Sequence, residues 1–113
     1  MIQADLQDQV FRALADATRR RILDHLADGE ATVTDLMTGA AMTQSAVSQH
    51  LRVLRDAALV EERRAGRHRV YSLRPEPLRA ARDWLGHYER FWEERLDRFG
   101  SLLRAKHGTQ DQV

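Results

Sequence analysis

The chain has 113 residues, with 18 basic and 17 acidic side chains and a formal net charge of +1. Its 42% hydrophobic and 31% charged content fits one soluble domain with a modest core and is too apolar for general disorder. Zero cysteines exclude disulfides, thiolate metal centres, iron–sulfur clusters and cysteine nucleophiles. No apolar run nears the ~20 residues of a membrane span. The start, Met1-Ile2-Gln3-Ala4-Asp5, lacks the basic and apolar stretches of a secretion signal, which predicts a cytoplasmic protein.

The charge is unevenly spread. Residues 1–42 carry a net −3, residues 43–74 a net +4, and residues 75–113 balance. An anionic partner would therefore dock on the middle third. Seventeen of the 18 basic residues are arginine, so placement rather than arginine content is the signal.

Leu6, Val10 and Leu14 recur at helical spacing with Phe11 beside them, predicting a first helix over 3–16. Thr18 can cap a second helix, Arg19 to Asp28, stopped by Gly29. Thr32-Val33-Thr34-Asp35 is a capping-box start for a short third helix ending at Gly39. Thr43 caps a fourth, in which Val47, Leu51, Leu54 and Ala58 form the inward stripe. From Leu59 the period falls to two. Residues 59–64 and 68–73 read as strands around Gly66, whose freedom at positive φ suits a hairpin. After Pro75 and Pro77, apolar residues from Leu78 to Leu103 predict one long last helix over 76–105. The polar residues 108–113 read as a frayed tail.

This order predicts a mainly α, winged helix-turn-helix domain over 1–113, with about five helices and a two-stranded hairpin wing. Residues 32–58 would form the helix-turn-helix and 59–74 the wing. An α-helix fits the DNA major groove and reads base edges with amide, hydroxyl and guanidinium groups. Gln44, Ser45, Ser48, Gln49 and Arg52 are such groups on the fourth helix. Arg63, Arg64, Arg67 and Arg69 would bind phosphates or enter the minor groove. The bland alternative is that both features are merely solvated surface.

Phe11-Arg12-Ala13-Leu14-Ala15-Asp16-Ala17-Thr18-Arg19-Arg20-Arg21-Ile22-Leu23, Thr43 to Leu54, Leu59-Val60 and Arg67 to Leu73 together resemble the ArsR/SmtB repressors, a family of dimeric bacterial winged-helix regulators. The aromatic stretch from Asp83 to Leu96 resembles a branch of that family with a long last helix. The resemblance implies DNA binding, repression, and a supporting or backbone-contacting role for His50. Three residues depart from the family pattern. Ala17 stands in place of proline, which predicts a looser first joint. Gln49 stands in place of lysine, and Ala58 in place of a glycine near a helix end, where a left-handed alanine would be strained.

The family's thiolate metal sites need cysteine, so no metal or other cofactor is expected from that source. Asp83 and His87, one helical turn apart, leave a metal-responsive alternative open, with ligands at a dimer interface. No nucleophilic triad or phosphate loop is evident, which argues against an enzyme. Leu85, Tyr88, Trp92, Leu96 and Phe99, with Leu6, Val10 and Phe11, form the expected homodimer surface. Paired recognition helices about 34 Å apart would read a palindromic operator in double-stranded DNA. The inducing signal, small molecule or protein, is left open. A third reading is a winged-helix protein-interaction module.

Overall fold

The computed structural model describes residues 2–111, with the backbone alone at 2–5, 40 and 105–111. In chain order the elements are α1 (Ile2–Leu14), α2 (Ala17–Ala27), β1 (Ala31–Thr32), α3 (Val33–Ala40), α4 (Gln44–Asp56), β2 (Val60–Ala65), β3 (His68–Leu73), α5 (Leu78–Gly86) and α6 (Glu89–Asp111). The described residues thus carry six helices and three strands, one of each more than expected. The described residues fall into two compact units, divided between Ala81 and Arg82. Every side chain from 82 to 99 is exposed.

In the first unit α1 ends two residues earlier than predicted, and α2 is capped by Asp16 instead of Thr18. The Asp16 carboxylate accepts from the Arg19 backbone N–H at 3.1 Å, and this bond holds its pKa below the ordinary value. Aspartate outranks threonine as a cap, and the choice leaves Ala17 at the first helical position, the one proline tolerates best. The joint is tied rather than loose. Arg19 donates through Nε to the Ala13 carbonyl and through Nη2 to the Arg12 carbonyl, both at 2.8 Å. Arg20 Nη1 donates to the Leu14 carbonyl at 2.5 Å. Those carbonyls close α1, and the two guanidinium groups reach all three, with the Arg12 carbonyl also accepting from the Ala15 N–H at 3.2 Å.

The core sits between α1, α2, α3, α4 and the sheet. Ile22, Leu36, Leu51, Leu54 and Leu59 are among its fully buried side chains. Truncating a buried leucine of this kind to alanine costs about 2–5 kcal/mol. Val10 belongs here too: at 0% exposure it fills the core of its own protomer and supplies nothing to a dimer surface, contrary to the sequence expectation. Its position on α1 turns it toward α2 and α4, while Leu6 and Phe11 pack half-buried at the core's edge.

Thr32 and Asp35 close the predicted capping box of α3, with bonds of 3.0 and 3.2 Å. The helix runs one residue past Gly39 and ends on Ala41, which adopts the left-handed conformation (φ 53, ψ 44). In α4, Val47, Leu51 and Leu54 are buried as the periodicity required. Ala57 then takes the inward place predicted for Ala58, because the helix has already ended at Asp56. Ala58 turns left-handed at φ 58. Leu59 N–H then bonds back to the Leu54 carbonyl at 2.9 Å, and Met42 N–H likewise to Met37 at 3.4 Å. Both helices therefore close in the six-to-one manner usually built on glycine.

The sheet has the order β1-β3-β2, all antiparallel. Ala65 pairs with His68, leaving a two-residue loop in which Gly66 takes φ 66. β1 pairs Ala31 with Tyr71 and Thr32 with Val70.

The predicted last helix is two helices. After Gly86, a poor helix former, His87 N–H bonds to the Trp84 carbonyl at 3.2 Å and Tyr88 N–H to Leu85 at 3.0 Å. These tighter bonds turn the chain before α6 begins. α6 itself continues to Asp111, through positions expected to fray, since no proline interrupts it. Residues 112 and 113 lie outside the described residues. No described helix is long and apolar enough to cross a membrane.

Candidate nucleic-acid interface

The turn from α3 to α4 presents the N-terminal end of α4 outward. Thr43 accepts from the Ala46 N–H at 3.2 Å, fixing the first turn of the helix. Behind it, Val47, Leu51 and Leu54 anchor one face in the core. Gln44, Ser45, Ser48, Gln49 and Arg52 are all exposed: by helical geometry Ser45, Gln49 and Arg52 lie roughly opposite the buried stripe, Ser48 on its shoulder, and Gln44 at the open first turn. The structure therefore brings the five predicted base-reading residues together on one helix.

His50 differs from them. It is half-buried, and its Nδ1 lies 3.4 Å from Arg19 Nη1, the guanidinium that also caps α1. It leans on the α1–α2 joint, a supporting position.

The wing arginines split by partner. Arg63 Nη2 meets the Glu30 carboxylate at 2.5 Å, a bridge across the sheet from β2 to the residue before β1. Arg69 Nη1 lies 3.5 Å from Glu62 Oε1. Arg64 and Arg67 are exposed and have no carboxylate partner among the described residues. Arg64 also faces Arg69 directly across the hairpin, so two like charges meet there. The hairpin tip is thus a cationic end with unneutralised charge, while Arg63 is already spent within the fold.

Glu62 was not singled out by sequence reasoning. Tyr71 Oη donates to its Oε2 at 2.7 Å, Arg55 Nη1 donates to the same oxygen at 2.9 Å, and Arg69 stands at the other oxygen. The Tyr71 hydrogen bond holds the Glu62 carboxyl below its ordinary pKa, with the two guanidinium groups acting in the same direction. Burial, with Glu62, pushes the Tyr71 hydroxyl up. A second bridge, Arg74 to Glu61, sits at the base of the wing. The only sequence signal for the Glu62 group was a pair of acids, Glu61 and Glu62, opening a strand that then turns basic.

The second unit exposes a row of large apolar side chains. Leu85, Tyr88, Trp92, Leu96 and Phe99, the predicted interface residues, are all exposed, with Leu96 at 70%. The Trp84 and Tyr88 rings pack at a tilt of 55°, with 5.1 Å between centroids. Asp83 pairs with Arg82 at 3.4 Å, and His87 lies in the turn beyond α5 rather than one regular helical turn from Asp83. Among the described residues, no group of three or more histidine and acidic side chains could hold a metal ion.

Comparison with known proteins now adds to this geometry. The model of the family described as "Bacterial regulatory protein, arsR family" matches residues 16–62, which run from the α2 cap to Glu62. The HTH-type transcriptional regulator Rv2034 of Mycobacterium tuberculosis is 44% identical over 99 residues, 88% of this chain and 90% of that protein. This chain belongs to the ArsR family. As an ArsR-family protein it is a winged helix-turn-helix, DNA-binding transcriptional regulator. The transcriptional repressor SdpR of Bacillus subtilis is 33% identical over 78 residues, 69% of this chain and 87% of that protein. In solved structures, the homodimeric winged helix-turn-helix DNA-binding domain of Mb0332 from Mycobacterium bovis superposes with a TM-score of 0.63 at 32% identity. That match covers 78% of this chain and 83% of the other. The residues matched by the family model hold α3, α4 and the start of the wing, the elements that carry the exposed polar face.

Proposed function

We propose that this ArsR-family regulator is a cytoplasmic homodimer that represses transcription, its own gene included, by occupying a palindromic operator until a signal releases it. The observation that carries the reading is the exposed polar surface of α4, with Gln44, Ser45, Ser48, Gln49 and Arg52, in one compact unit with a wing tip bearing Arg64 and Arg67. Amide and hydroxyl groups supply base-edge bonds, Arg52 a base or phosphate contact, and the wing tip phosphate contacts. His50 supports the helix from behind. Arg63 and Arg69 contribute less, being committed to Glu30 and Glu62.

Repression and dimerisation are supported by relatives: SdpR is named a repressor and the Mb0332 domain a homodimer. Regulation rather than catalysis is the activity of the family. The exposed apolar residues of α5 and α6 give a second copy a surface to cover.

The test is fluorescence anisotropy with the intergenic DNA upstream of its own gene, titrated with salt and with excess nonspecific competitor. Binding that survives competitor at two chains per site is expected, with affinity falling steeply as salt rises. Binding that competitor abolishes would leave only arginine–phosphate attraction and end the autoregulatory reading.

A further inference from the structure

The recognition helix and the wing are separate elements, yet one carboxylate joins them. Glu62 lies on β2, Arg55 in the last turn of α4, and Arg69 and Tyr71 on β3. Tyr71 and Arg55 both donate to Oε2, at 2.7 and 2.9 Å, and Arg69 reaches Oε1 at 3.5 Å. The Tyr71 ring is buried, so the phenol end of the group is fixed to the core. Register places Glu62 directly opposite Tyr71 and leaves Arg64 opposite Arg69, two residues nearer the tip on the same face. The carboxylate therefore sits between the C-terminal end of α4 and the cationic end of the hairpin.

We infer that Glu62 is a positioning residue for DNA recognition, fixing the wing against α4 so that Arg64 and Arg67 meet the backbone while Ser48 and Gln49 meet the bases. This rests on the DNA-reading role proposed above for α4. Two contact sets on a rigid frame engage the same duplex only if their separation matches it. A frame loosened at Glu62 lets each set bind alone, and simultaneous engagement is lost. The negative charge otherwise opposes DNA, so its presence beside Arg55 and Arg69 weakens nonspecific attraction. The same residue thus lowers background binding and raises discrimination.

The experiment compares wild type with Glu62→Gln and Tyr71→Phe on two duplexes. One is selected by the wild-type protein from a random-sequence pool, and the other is a scrambled duplex of equal length. Glu62→Gln keeps the size of the side chain and an acceptor for Tyr71 but loses the charge. It is expected to bind the scrambled duplex more tightly, with a salt slope steeper by about one, and the selected duplex less tightly. The ratio of the two affinities then falls by about tenfold. Tyr71→Phe changes no charge and is expected to lower that ratio with an unaltered salt slope. Circular dichroism melts confirm that both variants are folded at the assay temperature. If Glu62→Gln strengthens binding to both duplexes by one common factor, Glu62 acts only through its charge and the positioning role is overturned. If Tyr71→Phe keeps the wild-type ratio, the frame does not run through the buried phenol and the role is likewise overturned. Failure of the wild-type protein to select any sequence would instead remove the DNA-reading role of α4, and this proposal with it.

Discussion

Ala58 adopts φ 58 and Ala41 φ 53, a backbone region that costs an L-residue with a β-carbon about 1–2 kcal/mol. Both sit where a helix closes by a six-to-one bond, so the conformation is imposed by the turn that follows and not by the residue. At Ala58 the constraint is tight, because Leu59 must enter the core immediately afterwards at 0% exposure. Glycine would relieve the strain but lose more chain entropy on folding, a cost of about 0.5–1 kcal/mol. The difference favours glycine. Ala58→Gly is expected to stabilise the fold by about 0.5–1 kcal/mol, raising the midpoint of thermal unfolding by a few degrees in calorimetry. An unchanged or lowered midpoint would mean that the alanine is not strained where it stands.

At the scale of elements, the proposed function has α4 and the wing divide the labour of reading DNA. In that role, hydrogen bonds from Ser48 and Gln49 would depend on which base they meet, whereas Arg67 at the loop tip would meet phosphate whatever the sequence. Ser48→Ala with Gln49→Ala is expected to cost about 1–3 kcal/mol of discrimination on a selected duplex and little on a scrambled one. Arg67→Ala is expected to weaken both alike and to reduce the salt slope by about one. Competition titrations at several salt concentrations separate the two patterns, and equal loss in both variants would contradict the division. Much of this arrangement was legible in the sequence. The stripe Val47, Leu51, Leu54 has one helical solution, which leaves the polar face no alternative but solvent, and Gly66 marks the hairpin by the one conformation it alone adopts cheaply. What was hidden is tertiary. Two residues of β1 are too few to show a period. Asp16 and Thr18 are both able caps, and their small difference in capping preference is a weak signal along the chain. The partners of Arg63 and Arg69 are 33 residues away and across a strand pair, so only register reveals that these arginines are already engaged. Val10 and Leu6 share a stripe, and nothing along the chain says which of them faces the protomer's own core.

For the whole molecule the question is what covers the second unit. Trp84, Tyr88, Phe91, Trp92, Leu96 and Phe99 are each at least two-fifths exposed, in a segment where charged residues hold the alternate positions. An apolar row of this length on an isolated chain is a liability for solubility, and a second copy of the same row is the self-complementary way to remove it. Two copies would also give the assembly two α4 helices, which a single wing and helix need in order to hold a site against salt. Trp92→Glu with Leu96→Glu places four carboxylates in a paired interface and leaves the first unit, residues 1–81, untouched. Sedimentation velocity is expected to show twice the chain mass for wild type and one chain mass for the variant. Helical content of the whole chain by circular dichroism should stay near wild type. Binding to a selected palindromic duplex should fall by about 10²-fold or more, because the second half-site no longer benefits from the first, while binding to a single half-site should change little. A variant that remains dimeric would move the interface away from this row, and a wild-type chain that sediments as one copy would leave the aromatic row to a different partner.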